Sequence, residues 1–227
     1  MPVPKTPDPV RSTRTTLSAS AYEFLLVRIG DGSMAAGEQI DDVAVAAELG
    51  VSRGTVRQAL NRLAELGLVD MAPNRFTRVA EPAPDRFAAT IEVAVVLWRL
   101  GAALTLQHPF PAMRAEFQDL VDAVLADVAA ADVVDGNVFI GQVIDVFEFF
   151  TAHSGNPVLV ETAARLRPVI AHTARLGVAA YDLPGTAALM RELARSVAET
   201  DAASVDRALA SVNGMATSFL ERSAADA

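Results

Sequence analysis

Apolar residues recur at helical spacing in three consecutive segments of the N-terminal third of the chain. The first segment is "SASAYEFLLVRIG". The second is "DDVAVAAELG", in which Gly50 marks the predicted helix end. In the third, "SRGTVRQALNRLAELG", Ser52 is the predicted N-cap, and Val56, Leu60 and Leu63 form the apolar stripe. The second and third segments, joined by "GVS", are therefore predicted to form a helix-turn-helix.

The pattern changes in the next stretch, "GLVDMAPNRFTRVAEP", to that of a short hairpin. Apolar residues at 68–71 and 76–79 flank a Pro-Asn turn, a composition typical of two paired strands. A helix, a helix-turn-helix and a hairpin in this order predict a winged helix over residues 16–80. In that architecture the second helix of the helix-turn-helix lies in the major groove of DNA.

Charge supports this interpretation. The whole chain has a formal net charge of −9, yet residues 1–80 contain nine basic and nine acidic side chains. A locally cationic helix on an otherwise acidic protein favours one defined nucleic-acid-binding surface over a general basic coat. Taken alone, the third helix is also compatible with an ordinary surface helix whose arginines are solvated.

The motif "GSMAAGEQI" followed by "LGVSRGTVRQALNRLAELGLV" resembles the DNA-binding domain of GntR-family bacterial transcription regulators, over roughly residues 19–80. Arg53 and Arg57 match the recognition-helix arginines of that family. The chain departs from the family pattern at Ala36, where members usually carry proline. It departs again at Val43, where many carry a base-contacting arginine.

The resemblance and the helix pattern together predict a set of DNA-contacting residues. The predicted contacts are base edges for Arg53 and Arg57, phosphates or flanking bases for Thr55 and Asn61, close backbone approach at Gly54, and the DNA backbone or minor groove for Arg75 and Arg78. The DNA partner implied is a double-stranded operator with an inverted repeat, bound by a two-fold homodimer.

The remainder of the chain lacks strand alternation and predicts an antiparallel bundle of about six helices. A disordered tail is predicted over 1–15, a linker over 81–86 around "EPAPD", and a helical domain over 87–222. The predicted helical runs are 86–107, 112–132, 136–154, 157–176, 185–200 and 202–222. The expected fold class is mainly α: a winged helix followed by an all-α bundle.

The sequence offers no catalytic pattern, so we expect no enzymatic activity. There is no cysteine, and His108, His153 and His172 stand outside metal-binding spacings such as HxxxH. No nucleophile elbow or phosphate loop is present. The most apolar window, 88–106, contains Glu92 and Arg99, and no signal peptide is apparent. We therefore expect a buried helix and a cytoplasmic protein without a membrane partner.

The segment "VIDVFEFFTAHSGNPVLVETAARL" resembles the effector domains of FadR-type regulators, termed FCD domains. The resemblance implies an all-helical, dimeric domain that commonly holds a metal ion for a carboxylate ligand. The metal-ligand positions fall on Val143, Phe147, Met190 and Val212 or Asn213, and none of these is a strong metal ligand. We therefore expect neither a metal nor another cofactor. With phenylalanine at position 147 in place of the expected histidine, the chain resembles members that respond to fatty acids or acyl-CoA.

These observations predict a transcription regulator whose operator binding is controlled by an apolar, fatty-acid-like effector. The predicted effector pocket is bounded by Val143, Phe147, Met190 and Asn213, with Arg99 as a further polar group. Phenylalanine and methionine are also ordinary packing residues of a bundle core. The alternative is therefore a DNA-binding regulator whose helical domain only dimerises and binds no small molecule.

Overall fold

A computed structural model of the chain describes residues 9–72, 75–130, 136–174 and 181–225. The chain divides into two compact units, Met1–Pro82 and Ala83–Ala227. The elements of the first unit are α1 (Pro9–Gly30), α2 (Asp42–Leu49), α3 (Arg53–Glu65), β1 (Val69–Ala72) and β2 (Phe76–Val79). Those of the second unit are α4 (Pro84–Gln107), α5 (Met113–Ala129), α6 (Gly136–Ala152), α7 (Pro157–Ala164), α8 (Arg167–Ala174), α9 (Leu183–Glu199) and α10 (Ala202–Ala225).

The first unit is a winged helix whose core lies between α1 and α3. Leu25, Val56 and Leu63 are fully buried there, because each occupies the apolar stripe of its helix. The turn between α2 and α3 follows the predicted chemistry. Gly50 takes a positive φ of 64°, and the side chain of Ser52 accepts the N–H of Thr55 at the start of α3.

The two strands pair antiparallel, with Asp70 opposite Arg78. The segment that precedes α2 lies beside β2, since Ile40 donates its N–H to the carbonyl oxygen of Thr77 at 2.8 Å and Val79 donates to Glu38 at 2.9 Å. The first turn of α2 is thereby held next to the hairpin.

The second unit is an all-α bundle in which α4 packs against α6, α8 and α10. The backbones of α4 and α6 approach each other closely. A Cβ atom added at Gly101 would lie 2.8 Å from the backbone of Phe150 and of Thr151, and the hydroxyl of Thr105 donates to the carbonyl oxygen of Phe150 at 2.8 Å. The expected mainly α architecture, with an N-terminal winged helix, is confirmed.

Three predicted boundaries need correction. The tail expected over 1–15 is helical from Pro9, because proline is tolerated in the first turn of a helix and no helix breaker follows it before Gly30. The linker expected over 81–86 ends earlier, since Pro84 starts α4 in the same way. The run expected over 157–176 is two helices, α7 and α8, because Pro168 lacks the N–H that would bond to the carbonyl oxygen of Ala164.

Within the described residues, one helix, α4, has the length and apolar composition that a membrane span requires. Its inner face, which includes Trp98 and Ile91, belongs to the core of the second unit. Its outer face carries Val93, Val96 and Leu100, which are 51%, 60% and 47% exposed. The prediction of a buried helix therefore holds for one face of α4 only.

Candidate nucleic-acid interface and internal cavity

A concave surface of about 540 Å³ lies in the first unit between the start of α2, the outer face of α3 and the hairpin. It is lined by Arg53, Arg57, Asn61 and Arg75, together with Asp41 and Asp42. The three residues of α3 lie side by side because they are four positions apart on one helix. Arg75, which follows β1, enters the same surface from the turn of the hairpin.

Electrostatics within this surface centre on Asp42. Its Oδ1 accepts a hydrogen bond from Nη2 of Arg53 at 3.0 Å, and its Oδ2 lies 3.8 Å from Nη1 of Arg57. Both arginine side chains are 60% exposed, whereas that of Asp42 is 19% exposed. The two guanidinium groups are therefore presented to solvent while a more buried carboxylate contacts both of them.

The other predicted DNA contacts lie elsewhere. Thr55 is buried and its hydroxyl bonds with that of Ser52 at 2.9 Å, so it stabilises the start of α3 and does not line the concave surface. Arg78 donates to Asp70 across the hairpin at 3.1 and 3.2 Å and is absent from the concave surface. Gly54 is exposed on the first turn of α3, where an added Cβ would meet only Ser52.

The second unit contains a cavity of about 450 Å³ among α4, α6, α8, α9 and α10. Val143, Phe147 and Met190 line it, as the sequence predicted. The lining is mainly apolar and is rich in aromatic rings. Trp98 stacks on Phe147 with ring centroids 4.7 Å apart, at an interplanar angle of 27°.

Polar groups reach this cavity near its α9 and α10 walls. The described lining includes Tyr181, Thr186, Ser218 and Arg222. The ring of Tyr181 stacks on Phe219 at a centroid distance of 5.2 Å, and its hydroxyl donates to the carbonyl oxygen of Ala174. The cavity therefore combines a large apolar surface with a few polar groups, among them the carboxylate of Asp182.

Two residues predicted for the pocket, Arg99 and Asn213, do not line this cavity. Arg99 lies outside the cavity and donates two hydrogen bonds to Asp206, at 2.6 and 2.8 Å. These bonds raise the pKa of Arg99 and lower that of Asp206. Asn213 is exposed and is absent from the lining, because α10 turns Val212 inward and Asn213 outward.

Residues 17–79 match the family described as bacterial regulatory proteins, gntR family. The N-terminal domain is a GntR-family DNA-binding domain. The "Probable D-xylose utilization operon transcriptional repressor" of Paenarthrobacter nicotinovorans is similar, at 31% identity over 98 residues. That match spans 43% of this chain and 43% of the relative, so it covers less than half of either protein.

Solved structures extend the similarity of fold to the helical unit. The E. coli protein McbR/YncC gives a TM-score of 0.73 at 19% identity, covering 90% of this chain and 97% of that one. A GntR-type regulator from Rhodococcus sp. RHA1 gives 0.70 at 19% identity, with the same coverage. At this identity the comparison establishes a shared fold, and the helical unit therefore has the fold seen in these two chains.

The structure places at the two sites several residues that were not predicted from the sequence. Trp98, Tyr181 and Arg222 line the cavity but were not predicted there, because helical periodicity separates buried from exposed faces without showing which buried face borders a void. Asp42 was also missed. The sequence signal for it is the pair of aspartates at the start of α2. Asp41 is the N-cap and accepts the N–H groups of Val43 and Ala44. This leaves the second carboxylate available for α3.

The cavity also bears on the metal question. Val143, Phe147 and Met190, which stand at three of the positions where the resemblance to FCD domains implies metal ligands, supply no strong ligand. Among the described residues, no group of three histidine, cysteine, aspartate or glutamate side chains is placed to bind an ion. His153 is occupied outside the cavity, where it stacks on Phe110 and lies 3.4 Å from Glu116.

Proposed function

We propose that this chain is a FadR-like GntR regulator whose winged helix binds an inverted-repeat operator and whose helical unit binds an apolar effector. The observation that carries the proposal is the convergence of Arg53, Arg57, Asn61 and Arg75 on one concave surface of a GntR-family DNA-binding domain. A helix that presents two guanidinium groups at the start of its exposed face matches the recognition of guanine edges in the major groove.

Arg57 provides the sharpest test of base recognition. A duplex selected from a random library by the wild-type protein is compared with a scrambled duplex, and binding of R57A to both is measured. We expect a loss of about 1–3 kcal/mol on the selected duplex and relaxed preference at one base position. Equal losses on both duplexes would assign Arg57 to a phosphate instead.

A matched control lies on the same helix. Arg62 stacks over the ring of Tyr22 at 4.1 Å and is not part of the concave surface. R62A removes the same charge from α3. It should weaken binding to the selected and the scrambled duplex equally, and by less than R57A weakens binding to the selected duplex. If R62A and R57A behaved alike, the concave surface would not be the base-recognition surface.

The homodimer is supported by the outer face of α4. Ala89, Val93, Val96, Leu100 and Ala103 are spaced alternately by four and three residues, which is the pattern of a helix-pairing seam. We propose that this seam pairs with the same seam of a second copy. Neighbouring exposed aliphatic side chains on one helix face form an apolar patch, and such patches mark interaction surfaces. Val93, Val96 and Leu100 therefore favour an interface.

Charge favours an antiparallel arrangement of the two α4 helices. A pairing that sets Val93 against Val96 of the second copy also brings Glu92 near Arg99 of that copy. The bonds of Arg99 to Asp206 use Nε and Nη2 and leave Nη1 for a second carboxylate. Opposite charges flanking an apolar seam select one register and one orientation. Two equivalent Glu92–Arg99 contacts then form, as two-fold symmetry requires.

Light scattering tests the dimer. The wild type should be a dimer at micromolar concentration, and V96E should be a monomer with unchanged helical content. V158E is the control, because Val158 is a similarly exposed valine on α7, outside the seam. A wild type that stays monomeric while it binds a single half-site tightly would refute the dimer.

The proposed effector is fatty-acid-like and is bound without a metal. The aliphatic and aromatic lining suits a hydrocarbon chain, which contributes about 25 cal/mol per Å² of buried apolar surface before the costs of association. Among the polar groups of the lining, the guanidinium of Arg222 suits a carboxylate or carbonyl head group. Binding would favour one dimer geometry and so change the spacing of the two winged helices.

Binding of decanoate and palmitate, measured by calorimetry with metal-free protein, tests this proposal. V143W should abolish binding, because the indole would fill the cavity from a half-buried position without introducing a charge. Its folding is checked by circular dichroism. Stoichiometric zinc or nickel after reconstitution would refute the metal-free site. Failure of both acids and of acyl-CoA to bind would favour a helical unit that only dimerises.

A further inference from the structure

Asp42 is the acidic residue that touches the cationic face of the recognition helix. It follows the N-cap Asp41 in the first turn of α2, and its carboxylate points across to α3. Capping of α2 is already performed by Asp41, whose Oδ1 accepts the N–H groups of Val43 and Ala44 at 2.8 and 3.2 Å. Capping of α2 therefore does not require the contact of Asp42 with Arg53, which links α2 to α3.

Backbone hydrogen bonds before α2 and partial burial both restrict the position of this carboxylate. The segment before α2 is hydrogen bonded to β2, through Ile40 and Thr77. Only 19% of the Asp42 side chain is exposed, so its rotamer is restricted, whereas the arginines that it contacts extend into solvent. A fixed acceptor beside a long flexible donor restricts the donor to few conformations before any ligand arrives.

The geometry leaves the arginine competent to bind a base. A guanidinium has five N–H donors in a planar fork, and the contact of Arg53 with Asp42 uses one nitrogen, Nη2. The remaining donors can still pair with two acceptors of a guanine edge. At the same time a negative charge in the concave surface repels phosphates, which carry no sequence information.

We propose that Asp42 is a specificity-determining residue that orients Arg53 toward base edges, restrains Arg57, and penalises binding to the phosphate backbone. This inference rests on the proposed operator binding. It predicts that the carboxylate lowers the affinity for every duplex but raises the ratio of the affinity for the operator duplex to the affinity for any other duplex.

D42N is the informative variant because it keeps the shape of the side chain and removes its charge. E48Q is the matched control. It removes one negative charge from the same helix and breaks a comparable ion pair, that of Glu48 with Arg28 at 2.8 Å, without touching α3. D42E retains the charge and should restore part of the wild-type behaviour.

Affinity is measured for the duplex that the wild type selects and for a scrambled duplex, over a series of salt concentrations. D42N should bind the scrambled duplex more tightly than the wild type does and should lower the ratio of affinities by about tenfold. The slope of log affinity against log salt concentration on the scrambled duplex should steepen by about 0.9, the change expected for one added phosphate contact. E48Q should leave the ratio unchanged.

Three results separate the possible failures. If the wild type selects no sequence from the library, the proposed operator binding fails, and the inference fails with it. If the wild type selects a sequence but D42N keeps the wild-type ratio, Asp42 has no role in specificity and operator binding stands. Equal weakening of D42N on both duplexes, with lost helical content, would assign Asp42 a structural role and overturn the inference.

Discussion

The indole of Trp98 stacks on the ring of Phe147 with centroids 4.7 Å apart, and both rings line the cavity of the helical unit. They come from α4 and α6, so the stack joins two helices that also form walls of the cavity. A ligand that enters this cavity contacts or displaces a ring pair, which links binding to the packing between those helices.

Trp98 is the single tryptophan of the sequence, so its fluorescence reports on the cavity without labelling. We expect decanoate or palmitate to change the intensity and emission maximum, because the ligand alters the polarity around the indole. The change should saturate at the affinity measured by calorimetry. V143W is unsuitable here, so V143F serves as the blocked variant, and an unaltered response of V143F would place the ligand outside the cavity.

Glycine at position 101 is required by the contact between α4 and α6. G101A should destabilise the protein by about 2–4 kcal/mol, because the new methyl group would lie 2.8 Å from the backbone of α6, which cannot move without repacking. G214A, on α10, provides the opposite case. An added Cβ there meets nothing within 4 Å, so the helix should gain up to about 1 kcal/mol. Urea unfolding of both variants measures the difference, and a stable G101A would show that the two helices can separate.

The bond between Arg99 and Asp206 predicts a pH dependence. The hydrogen bond from Arg99, aided by its charge, lowers the pKa of Asp206. The pair therefore contributes fully to the free energy of unfolding above the ordinary aspartate pKa of about 3.9. This contribution is lost as the pH falls through the lowered pKa. The urea midpoints of wild type and D206N should therefore differ near neutral pH and converge in acid. Both side chains are partly exposed, so the difference should shrink in high salt.

Arg167 predicts a pH dependence of the opposite sign. It bridges α8 to Asp145 and Glu148 of α6, at 2.6 and 2.7 Å. Burial raises the pKa of Glu148, and the charge of Arg167 opposes that rise. In R167M the pKa of Glu148 should rise further, so stability is highest below the ordinary glutamate pKa and falls as the pH rises through the new value.

Unfolding of R167M is compared with that of wild type from about pH 4 to about pH 8. The loss of stability should grow with pH and reach about 1–3 kcal/mol near neutrality. The double variant R167M/E148Q should lose the added pH dependence. A loss that is constant across this range would mean that packing of the Arg167 side chain, and not the charge of Glu148, accounts for the effect.

Local pattern was sufficient for the winged helix. The N-cap Ser52, the positive-φ turn at Gly50 and the stripe of Val56, Leu60 and Leu63 are recognisable within a few residues of one another. Arg53, Arg57 and Asn61 share one face for the same reason, since helical geometry alone aligns positions four apart. Short-range information of this kind is contained in the sequence.

Contacts between distant segments were decided by tertiary packing. The pairing of Asp42 with Arg53 depends on the angle between two helices, and that of Arg99 with Asp206 joins residues 107 positions apart. Periodicity identified Phe147 and Met190 as buried, but it could not show that they border a cavity while Asn213 faces solvent. The sequence determined which faces of the helices are apolar. Only the packed structure decided which of those faces meet, which line the cavity, and which, like the outer face of α4, are exposed. The physical reason is that burial follows from local composition, whereas the geometry of a void depends on every helix that surrounds it.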